Sequence, residues 1–339
     1  MKKIIILFVL LMGLLYSCKN DEIEYGDYKY TTGYFPYQYP IRTLVLGDYI
    51  YDNSNDNNHK FLISIAIGGV YTNTKDRVFD IAVEDSLCNH ALFASTSDTI
   101  RLMPKEYYNL SSNKLTVPKG KFNGNVEVQL TDAFFNDPRA IKLNYVIPVR
   151  IVASKDVDSI LVGRSSKTNP DPRIAADWDV VPKNFTMFAV NFVNPYSGNF
   201  LHRGISVVKD ASNAVLETNV YHATYIVDNE LWNLATSGKN QVAVNGNLHS
   251  SIFKGSFGLL LNFASDSTCT VTAAPGSPYT ITGTGKFKKN ADSWGNELRN
   301  AIHLNYQLSN GTNTYNATDT LVVRDRAVTL QTFVPTIFK

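Results

Sequence analysis

Apolar and polar side chains alternate with a period of two over much of the chain, which predicts β-strands whose faces meet different surroundings. Segments with this pattern, bounded by Gly, Asn, Asp and Pro clusters, are KFLISIAIGGVY at Lys60–Tyr71, NVEVQLTD at Asn125–Asp132, LNYVIPVRIV at Leu143–Val152, NVYHATYIV at Asn219–Val227, IHLNYQLS at Ile302–Ser309 and TLVVRD at Thr320–Asp325. Long stretches with the 3.6-residue period of an amphipathic helix do not occur. The pattern therefore predicts an all-β protein.

A change in composition near the middle of the chain predicts a linker between two domains. The segment VGRSSKTNPDPRIAADWDVVPKN at Val162–Asn184 is rich in proline and small residues and interrupts the strand pattern. We assign residues 25–155 to an N-terminal domain, 156–183 to the linker and 184–339 to a C-terminal domain. Strand spacing favours an Ig-like antiparallel β-sandwich for the first domain. For the second it favours an antiparallel lipocalin-like β-barrel, because closure removes exposed sheet edges, with a β-sandwich as the alternative.

The N-terminal residues have the three parts of a secretory signal. Two lysines precede an apolar run from Ile4 to Leu15, which has roughly 12 residues where roughly 20 are needed to cross a bilayer. Leu15, the small Ser17 and then Cys18 resemble the lipobox of bacterial lipoproteins. We therefore expect residues 1–17 to be a lipoprotein signal peptide and Cys18 to be the lipidated residue. An ordinary signal peptide followed by an incidental cysteine is the alternative.

Residues 18–24 would then form a lipidated tether. The charged run Lys19–Glu22 resembles the signal that sends Bacteroidetes lipoproteins to the outer face of the outer membrane. A solvated tether without that role is the alternative. The sequence thus favours a protein that is lipid-anchored in the outer membrane and faces the extracellular side.

Composition and charge exclude some partners. The chain is 44% hydrophobic and 18% charged, which gives it ample apolar surface for packed cores. Loss of two signal-peptide lysines lowers the count of Lys and Arg from 32 to 30, equal to the 30 acidic residues. Since basic residues form no stripe, we expect no nucleic-acid partner. Cys88 and Cys269 are too few for a disulfide framework, and we expect both to be buried.

Several motifs in series carry a family resemblance. The first half contains YFPYQYPIRTLVLGD at Tyr34–Asp48, GGVYTNTKDRVFDIAVEDSLC at Gly68–Cys88, MPKEYYNLSSNKLTVPKG at Met103–Gly120 and YVIPVRI at Tyr145–Ile151. These motifs resemble a Bacteroidetes module that also precedes the catalytic domain of some endo-β-N-acetylglucosaminidase-type glycosidases. The second half, with NPDPRIAADWDVVPKNFTMFAVNFVNPYSGNFLHRG at Asn169–Gly204 and WGNELRNAIHLNY at Trp294–Tyr306, resembles the module that accompanies it in surface lipoproteins. The resemblance implies a two-domain surface lipoprotein of unknown function encoded beside outer-membrane glycan-import systems.

Catalytic and metal-binding motifs are missing from the sequence. The glycosidases of the resemblance carry a D-x-x-D-x-D-x-E signature in a separate domain, and this chain has no such run. Glycoside hydrolysis needs two carboxyl groups across the scissile bond, whereas the acidic pairs Asp292/Glu297 and Asp76/Asp80 are more typical of solvated loops and strands. The six histidines are scattered without H-E-x-x-H spacing. We therefore expect no enzymatic activity, no cofactor and no metal site.

Aromatic residues beside amides and charged groups support a binding hypothesis, because sugar C–H faces stack on flat rings while hydroxyl groups bind polar side chains. Trp294 lies in the polar segment KNADSWGNELRN, and Trp232 lies in DNELWNLATSG. A tryptophan that only fills an apolar gap is the alternative for each. The candidate glycan-binding residues are Trp294, Asp292, Asn296, Arg299, Trp232 and Asn233.

The sequence thus favours a non-catalytic cell-surface lipoprotein that binds glycan in association with an outer-membrane glycan-import system. The alternative is a structural or adhesion lipoprotein that binds a host protein or a partner surface lipoprotein and has no sugar site. Glycan binding requires exposed aromatic rings among amides and carboxylates, whereas protein binding requires a larger contiguous apolar patch.

Overall fold

The computed structural model describes Gly26, Tyr28 and residues 30–338, and it consists mainly of β-strands. The predicted signal peptide, Cys18 and the tether lie outside the described residues. The strands are β1 (Thr32–Tyr34), β2 (Pro40–Val45), β3 (Lys60–Gly68), β4 (Arg77–Val83), β5 (Ala91–Phe93), β6 (Arg101–Leu102), β7 (Tyr108–Leu110), β8 (Lys114–Val117), β9 (Asn123–Leu130), β10 (Tyr145–Ser154), β11 (Ser159–Ile160), β12 (Phe185–Val193), β13 (Gly198–Lys209), β14 (Val215–Tyr221), β15 (Glu230–Gly238), β16 (Gln241–Asn247), β17 (Ser256–Phe263), β18 (Thr268–Ala273), β19 (Thr280–Trp294), β20 (Glu297–Ser309), β21 (Thr314–Asp325), β22 (Gln331–Thr332) and β23 (Pro335–Ile337). Short helical segments are α1 (Ser54–Asn57), α2 (Asp132–Asn136) and the 3₁₀ turns Asp85–Cys88, Lys105–Tyr107, Pro138–Ile141, Ala175–Asp177 and Ile226–Asp228. The all-β prediction is confirmed.

The N-terminal strands form one sheet that wraps around a core. Its order is β11-β1-β3-β9-β8-β4-β10-β12-β2-β22, with β6 beside β10 and β7 beside β9. Ile63 of β3 and Phe192 of β12, from distant positions in this order, belong to the same buried cluster. The pairs β1–β11, β6–β10 and β2–β12 are parallel, unlike those of the purely antiparallel sandwich expected from sequence. Periodicity reports which face of a strand is buried but not the direction of its partner.

Strands β10 and β12 lie between β4 and β2 in this sheet, and most of their side chains are buried on both faces. Ile147 and Val149 of β10 face the main core, whereas Val146 packs into a second cluster with Met187 and Phe333. The small sheet β5–β23 supplies further residues of that second cluster. Burial on both faces explains why the sequence of β10 is almost continuously apolar.

The C-terminal part is a closed antiparallel β-barrel. Strand β13 and strands β15 to β21 pair in sequence order, and pairing of β13 with β21 closes the ring of eight. Strand β14 pairs with the second half of β13, beyond the residues that pair with β15. Phe200, Trp232 and Leu304 are among the inward-facing side chains that form the barrel core. The barrel is thus observed rather than the alternative sandwich, and closure satisfies the strand edges as expected.

Strand pairing corrects the domain boundary drawn from sequence. Strand β12, assigned to the second domain, lies between β10 and β2 in the N-terminal sheet. Near the C-terminus, β22 pairs with β2 and β23 pairs with β5. The barrel strands therefore run from Gly198 to Asp325, and the chain returns to the N-terminal domain afterwards. The boundary was misplaced because the apolar pattern of β12 is compatible with burial in either domain. The pattern therefore does not show which sheet the strand joins.

Cys88 and Cys269 are free and buried, as predicted. Burial raises the pKa of each thiol to about 12, which keeps both protonated at neutral pH. Among the described residues, no helix has the length and apolar character needed to span a membrane.

Candidate functional site

A cleft of about 900 Å³ lies where the barrel meets the N-terminal domain. The loop after β2 forms one wall with residues 48–51, and the start of β20 forms another with residues 297–300. The segment at the end of β21, residues 323–329, completes the lining together with residues from β13 and β19. Both domains thus contribute to one concave surface.

Arg326 holds the domains together behind this cleft. Its side chain is buried and donates to backbone carbonyls 2.6–3.0 Å away, which belong to Ser197, Asp48, Leu46 and Asn194. These carbonyls lie after β2 and between β12 and β13, so one guanidinium joins three chain segments. Burial lowers the pKa of Arg326 to about 10, and the group still carries its charge at neutral pH.

Asp48 forms a second contact between the domains. Its carboxylate accepts from Lys289 Nζ at 2.8 Å and from Asn300 Nδ2 at 3.3 Å, both on the barrel. The hydrogen bond from Lys289 is the main reason that the pKa of Asp48 lies below its ordinary value. Asp48 is therefore an ionised member of the cleft wall.

Exposed rings and apolar side chains stand beside polar groups in the cleft. Tyr51 is 68% exposed, and its ring meets that of Tyr49 edge-on with centroids 5.6 Å apart. Ile50 and Leu298 are also exposed. The polar groups of the lining include Asn199, Asn290, Asn300, Arg299, Arg324 and Asp325. This arrangement offers stacking surface and hydrogen-bonding groups to the same ligand.

Of the residues predicted around Trp294, Arg299 lines the cleft. Its guanidinium carbon lies 4.4 Å from the centroid of the Trp294 ring, a cation–π contact. Trp294 itself is partly buried, donates from Nε1 to Val323 O at 2.9 Å and packs beside Leu201 on the outside of the barrel. Trp294 therefore packs against the guanidinium of Arg299 and does not itself line the cleft.

The other polar residues near Trp294 have structural contacts. Asp292 forms an ion pair with Arg203. Asn296 follows Gly295 in the two-residue turn between β19 and β20, and both have positive φ, 62° for Gly295 and 63° for Asn296. This backbone is that of a type I′ hairpin turn. Neither Asp292 nor Asn296 belongs to the cleft lining.

The prediction that Trp232 contacts glycan is corrected by its burial. The side chain is 1% exposed and lies within the barrel core. Asn233, the next residue, is on the exposed face of β15 and donates from Nδ2 to Asn199 Oδ1 at 2.9 Å. Because neighbouring side chains of a strand point to opposite faces, one ligand cannot contact both residues from the same side.

A second group of polar side chains lies inside the barrel. His202 of β13 is the cross-strand partner of Glu230 of β15, with His202 Nδ1 3.0 Å from Glu230 Oε2. His249, in the loop after β16, places its Nε2 3.1 Å from the same carboxylate oxygen. Asp319 Oδ2 lies 3.0 Å from His202 Nε2, but off the direction of a hydrogen bond. We call His202, Glu230, His249 and Asp319 the interior cluster.

Asp319 is fixed by hydroxyl donors. Tyr221 donates to Oδ1 at 2.5 Å and Tyr306 donates to Oδ2 at 2.7 Å. A Cβ at Gly204 would lie 2.1 Å from Asp319 Oδ1, so only glycine leaves room for this carboxylate. The buried carboxyl group is thereby held in one orientation.

Aromatic stacking orients the two imidazoles of the interior cluster. The His202 ring stacks on Trp232 with centroids 3.8 Å apart, and the His249 ring stacks on Tyr221 at 4.1 Å. Burial by itself would lower the pKa of His202, but the neighbouring carboxylates of Asp319 and Glu230 outweigh burial and raise it. Contact with His202 is in turn the main reason that the pKa of Glu230 falls to about 2.

The interior cluster is not evident from the sequence, because its members are far apart along the chain. A weak signal was present in the strand pattern. His202 follows the inward-facing Phe200 by two positions, and Asp319 precedes the inward-facing Leu321 by two. A charged or ionisable residue at an inward position of a strand marks a polar group inside the core.

Comparisons with known proteins agree with this division into a sheet domain and a barrel. A model of an N-terminal domain family matches residues 28–158, and a model of the domain of unknown function DUF5627 matches residues 195–327. No curated protein matches the chain significantly.

Solved structures from Bacteroides ovatus are similar to this chain. A crystal structure of a protein of unknown function is 35% identical, with a TM-score of 0.86, and the match covers 92% of this chain and 100% of that one. A multidomain protein including DUF1735 is 13% identical, with a TM-score of 0.41 and coverage of 87% and 94%. Because a protein of 35% identity is matched over its full length, and two domain models match in series, this chain belongs to a Bacteroides family of two-domain proteins of unknown function that carry DUF5627.

Proposed function

We propose that this protein is a non-catalytic cell-surface lipoprotein that binds glycan in the cleft between its two domains. The observation that carries the proposal is the exposed ring of Tyr51 beside Tyr49 in a cleft lined by amides, arginines and carboxylates. Apolar C–H faces of a sugar would stack on Tyr51, and its hydroxyl groups would bind the amides and Arg299. A cleft of about 900 Å³ lies within the size range of small-molecule sites and admits an oligosaccharide.

The carboxylates of the cleft favour binding over hydrolysis. A glycosidase needs a general acid whose pKa is raised, whereas that of Asp48 is lowered. Glu297 lies 2.6 Å from Arg299, and Asp325 accepts from Asn199 Nδ2 at 2.8 Å. Each of the three carboxylates is thus already engaged by a neighbouring side chain.

The surface location and the association with a glycan-import system rest on the sequence. The lipobox-like segment ending at Cys18 supports lipidation, and the following charged run supports export to the outer face of the outer membrane. We expect radiolabelled palmitate to be incorporated into the wild-type protein and not into Cys18→Ala.

Surface exposure is tested separately with an external protease. It should degrade the wild-type protein on intact cells, and full protection of the protein would contradict the surface location.

The binding proposal is tested on Tyr51. Tyr51→Ala removes the exposed ring, and we expect glycan affinity to fall about tenfold, equivalent to about 1.4 kcal/mol. A glycan array identifies the ligand, and calorimetry measures Kd for wild-type and variant. Tyr225→Ala is the matched control, since Tyr225 is similarly exposed, at 69%, and does not line the cleft. Equal affinity in wild-type protein and Tyr51→Ala would exclude the cleft as the sugar site.

A structural or adhesion role is the second candidate. The exposed Ile50 and Leu298 at the cleft are the observation that favours it, because a protein partner would bury both. A folded protein that binds no sugar on the array would support this role over glycan binding.

A further inference from the structure

The geometry points to a metal site inside the barrel, in which His202, Glu230 and His249 bind one divalent transition-metal ion, with Zn²⁺ as the best-matched ion. Their ligand atoms, His202 Nδ1, Glu230 Oε2 and His249 Nε2, all lie within 4.8 Å of one another. Two of the three separations are 3.0 and 3.1 Å. Ligand atoms of a tetrahedral zinc site are about 3.4 Å apart, since Zn–N and Zn–O bonds are about 2.0–2.2 Å. Small side-chain movements would therefore produce the required spacing.

The groups around these ligands match the outer shell of a metal centre. A metal-bound imidazole commonly directs its other ring nitrogen toward a carboxylate, which fixes the ring and strengthens the ligand. His202 Nε2 is fully buried, has no hydrogen-bond partner among the described residues and lies 3.0 Å from Asp319 Oδ2. A small rotation of the imidazole would complete that bond. Asn247 Nδ2 donates to Glu230 Oε1 at 3.1 Å and leaves Oε2 for the ion.

Charge and access support the same assignment. The carboxylates of Glu230 and Asp319 both lie beside the imidazole of His202, and a divalent ion in a partly buried site needs such anionic groups close by. The side chains of His249 and Glu230 are 30% and 29% exposed, so an ion can enter from solvent and keep a water molecule as a fourth ligand. Two imidazoles and one carboxylate favour a transition metal over Ca²⁺, which prefers six to eight oxygen ligands.

The test is metal binding by the full-length purified protein after treatment with EDTA and dialysis. We expect calorimetry to show one Zn²⁺ per chain and no binding of Ca²⁺ at the same concentrations. Co²⁺ should give the visible absorption bands of a low-symmetry, four-coordinate site. His249→Ala should abolish Zn²⁺ binding, and because His249 is partly exposed in a loop, this variant should fold. Asp319→Asn should weaken binding roughly 10- to 100-fold, as expected for an outer-shell carboxylate.

His303→Ala is the matched control, because His303 lies on β20 outside the interior cluster and contacts Thr320. Its Zn²⁺ affinity should equal that of the wild-type protein. Circular dichroism establishes that each variant is folded. Absence of Zn²⁺ binding by folded wild-type protein, or an unchanged Kd in His249→Ala, would overturn the proposal and leave the cluster as a hydrogen-bonded network.

Discussion

Trp232 lies inside the barrel, stacked on His202, although the residues next to it in the sequence are mostly polar. Its inward position on β15 decides its role, and that position depends on the register of β15 with β13. Arg299, in contrast, lines the cleft, because the turn between β19 and β20 places it there beside Trp294. Composition near a tryptophan thus misjudged the buried ring of Trp232, while the glycan-binding role of Arg299 stays a prediction.

Glu217 provides a test at the level of one ionisable group. Its carboxylate accepts from Ser250 Oγ at 2.5 Å and from Ser251 N at 2.9 Å, and these bonds lower its pKa from 4.5 to about 2, with Ser250 the main cause. A folded-state pKa below the unfolded value adds stability above about pH 4.5, and this stability is lost as pH falls toward 2. We expect Glu217→Gln to lower the free energy of unfolding at pH 7 by up to about 1 kcal/mol.

Urea unfolding of wild-type protein and Glu217→Gln between pH 7 and pH 2 checks this expectation. The difference between them should narrow below about pH 4.5. In a Ser250→Ala background the difference at pH 7 should also be smaller, because the main donor is gone. A difference that stayed constant down to pH 2 would contradict the assigned contact.

At the scale of elements, short connections determine which side chains meet. Strand β14 carries Glu217, which holds the loop after β16, and that loop carries His249 to the interior cluster. The Gly295–Asn296 turn lets β19 and β20 form a long hairpin that reaches the N-terminal domain through Lys289 and Asp48. Glycine followed by asparagine between two strands is a hairpin signal that the sequence contained. Pairings between strands that are not joined by such a turn depend instead on contacts between residues far apart in the sequence.

At the scale of the whole molecule, Arg326 joins the barrel to the N-terminal domain. Arg326→Gln removes the guanidinium that donates to four carbonyl groups, and buried carbonyls left unpaired are costly. We expect this variant to lower the free energy of unfolding by at least about 2 kcal/mol. Urea unfolding, followed by tryptophan fluorescence and by circular dichroism, measures the change.

Arg324→Gln is the control for that measurement. Arg324 is about half exposed and lies 3.8 Å from Asp325, so its loss should change stability by no more than about 0.5 kcal/mol. Equal stability of Arg326→Gln and Arg324→Gln would show that Arg326 does not join the domains.

The sequence by itself determined the all-β class and the burial of Cys88 and Cys269, because alternation and turn residues are local properties of the chain. For the second domain it favoured a barrel and left a β-sandwich as the alternative, and the pairing of β13 with β21 decided between them. It also gave Arg299 as a candidate glycan-binding residue, which stays a prediction. Only the tertiary structure decided that β12 joins the N-terminal sheet, that Asp48 and Arg326 meet at a cleft, and that His202, Glu230 and His249 converge. These features depend on strand partners and register between distant segments, which a period of two does not specify.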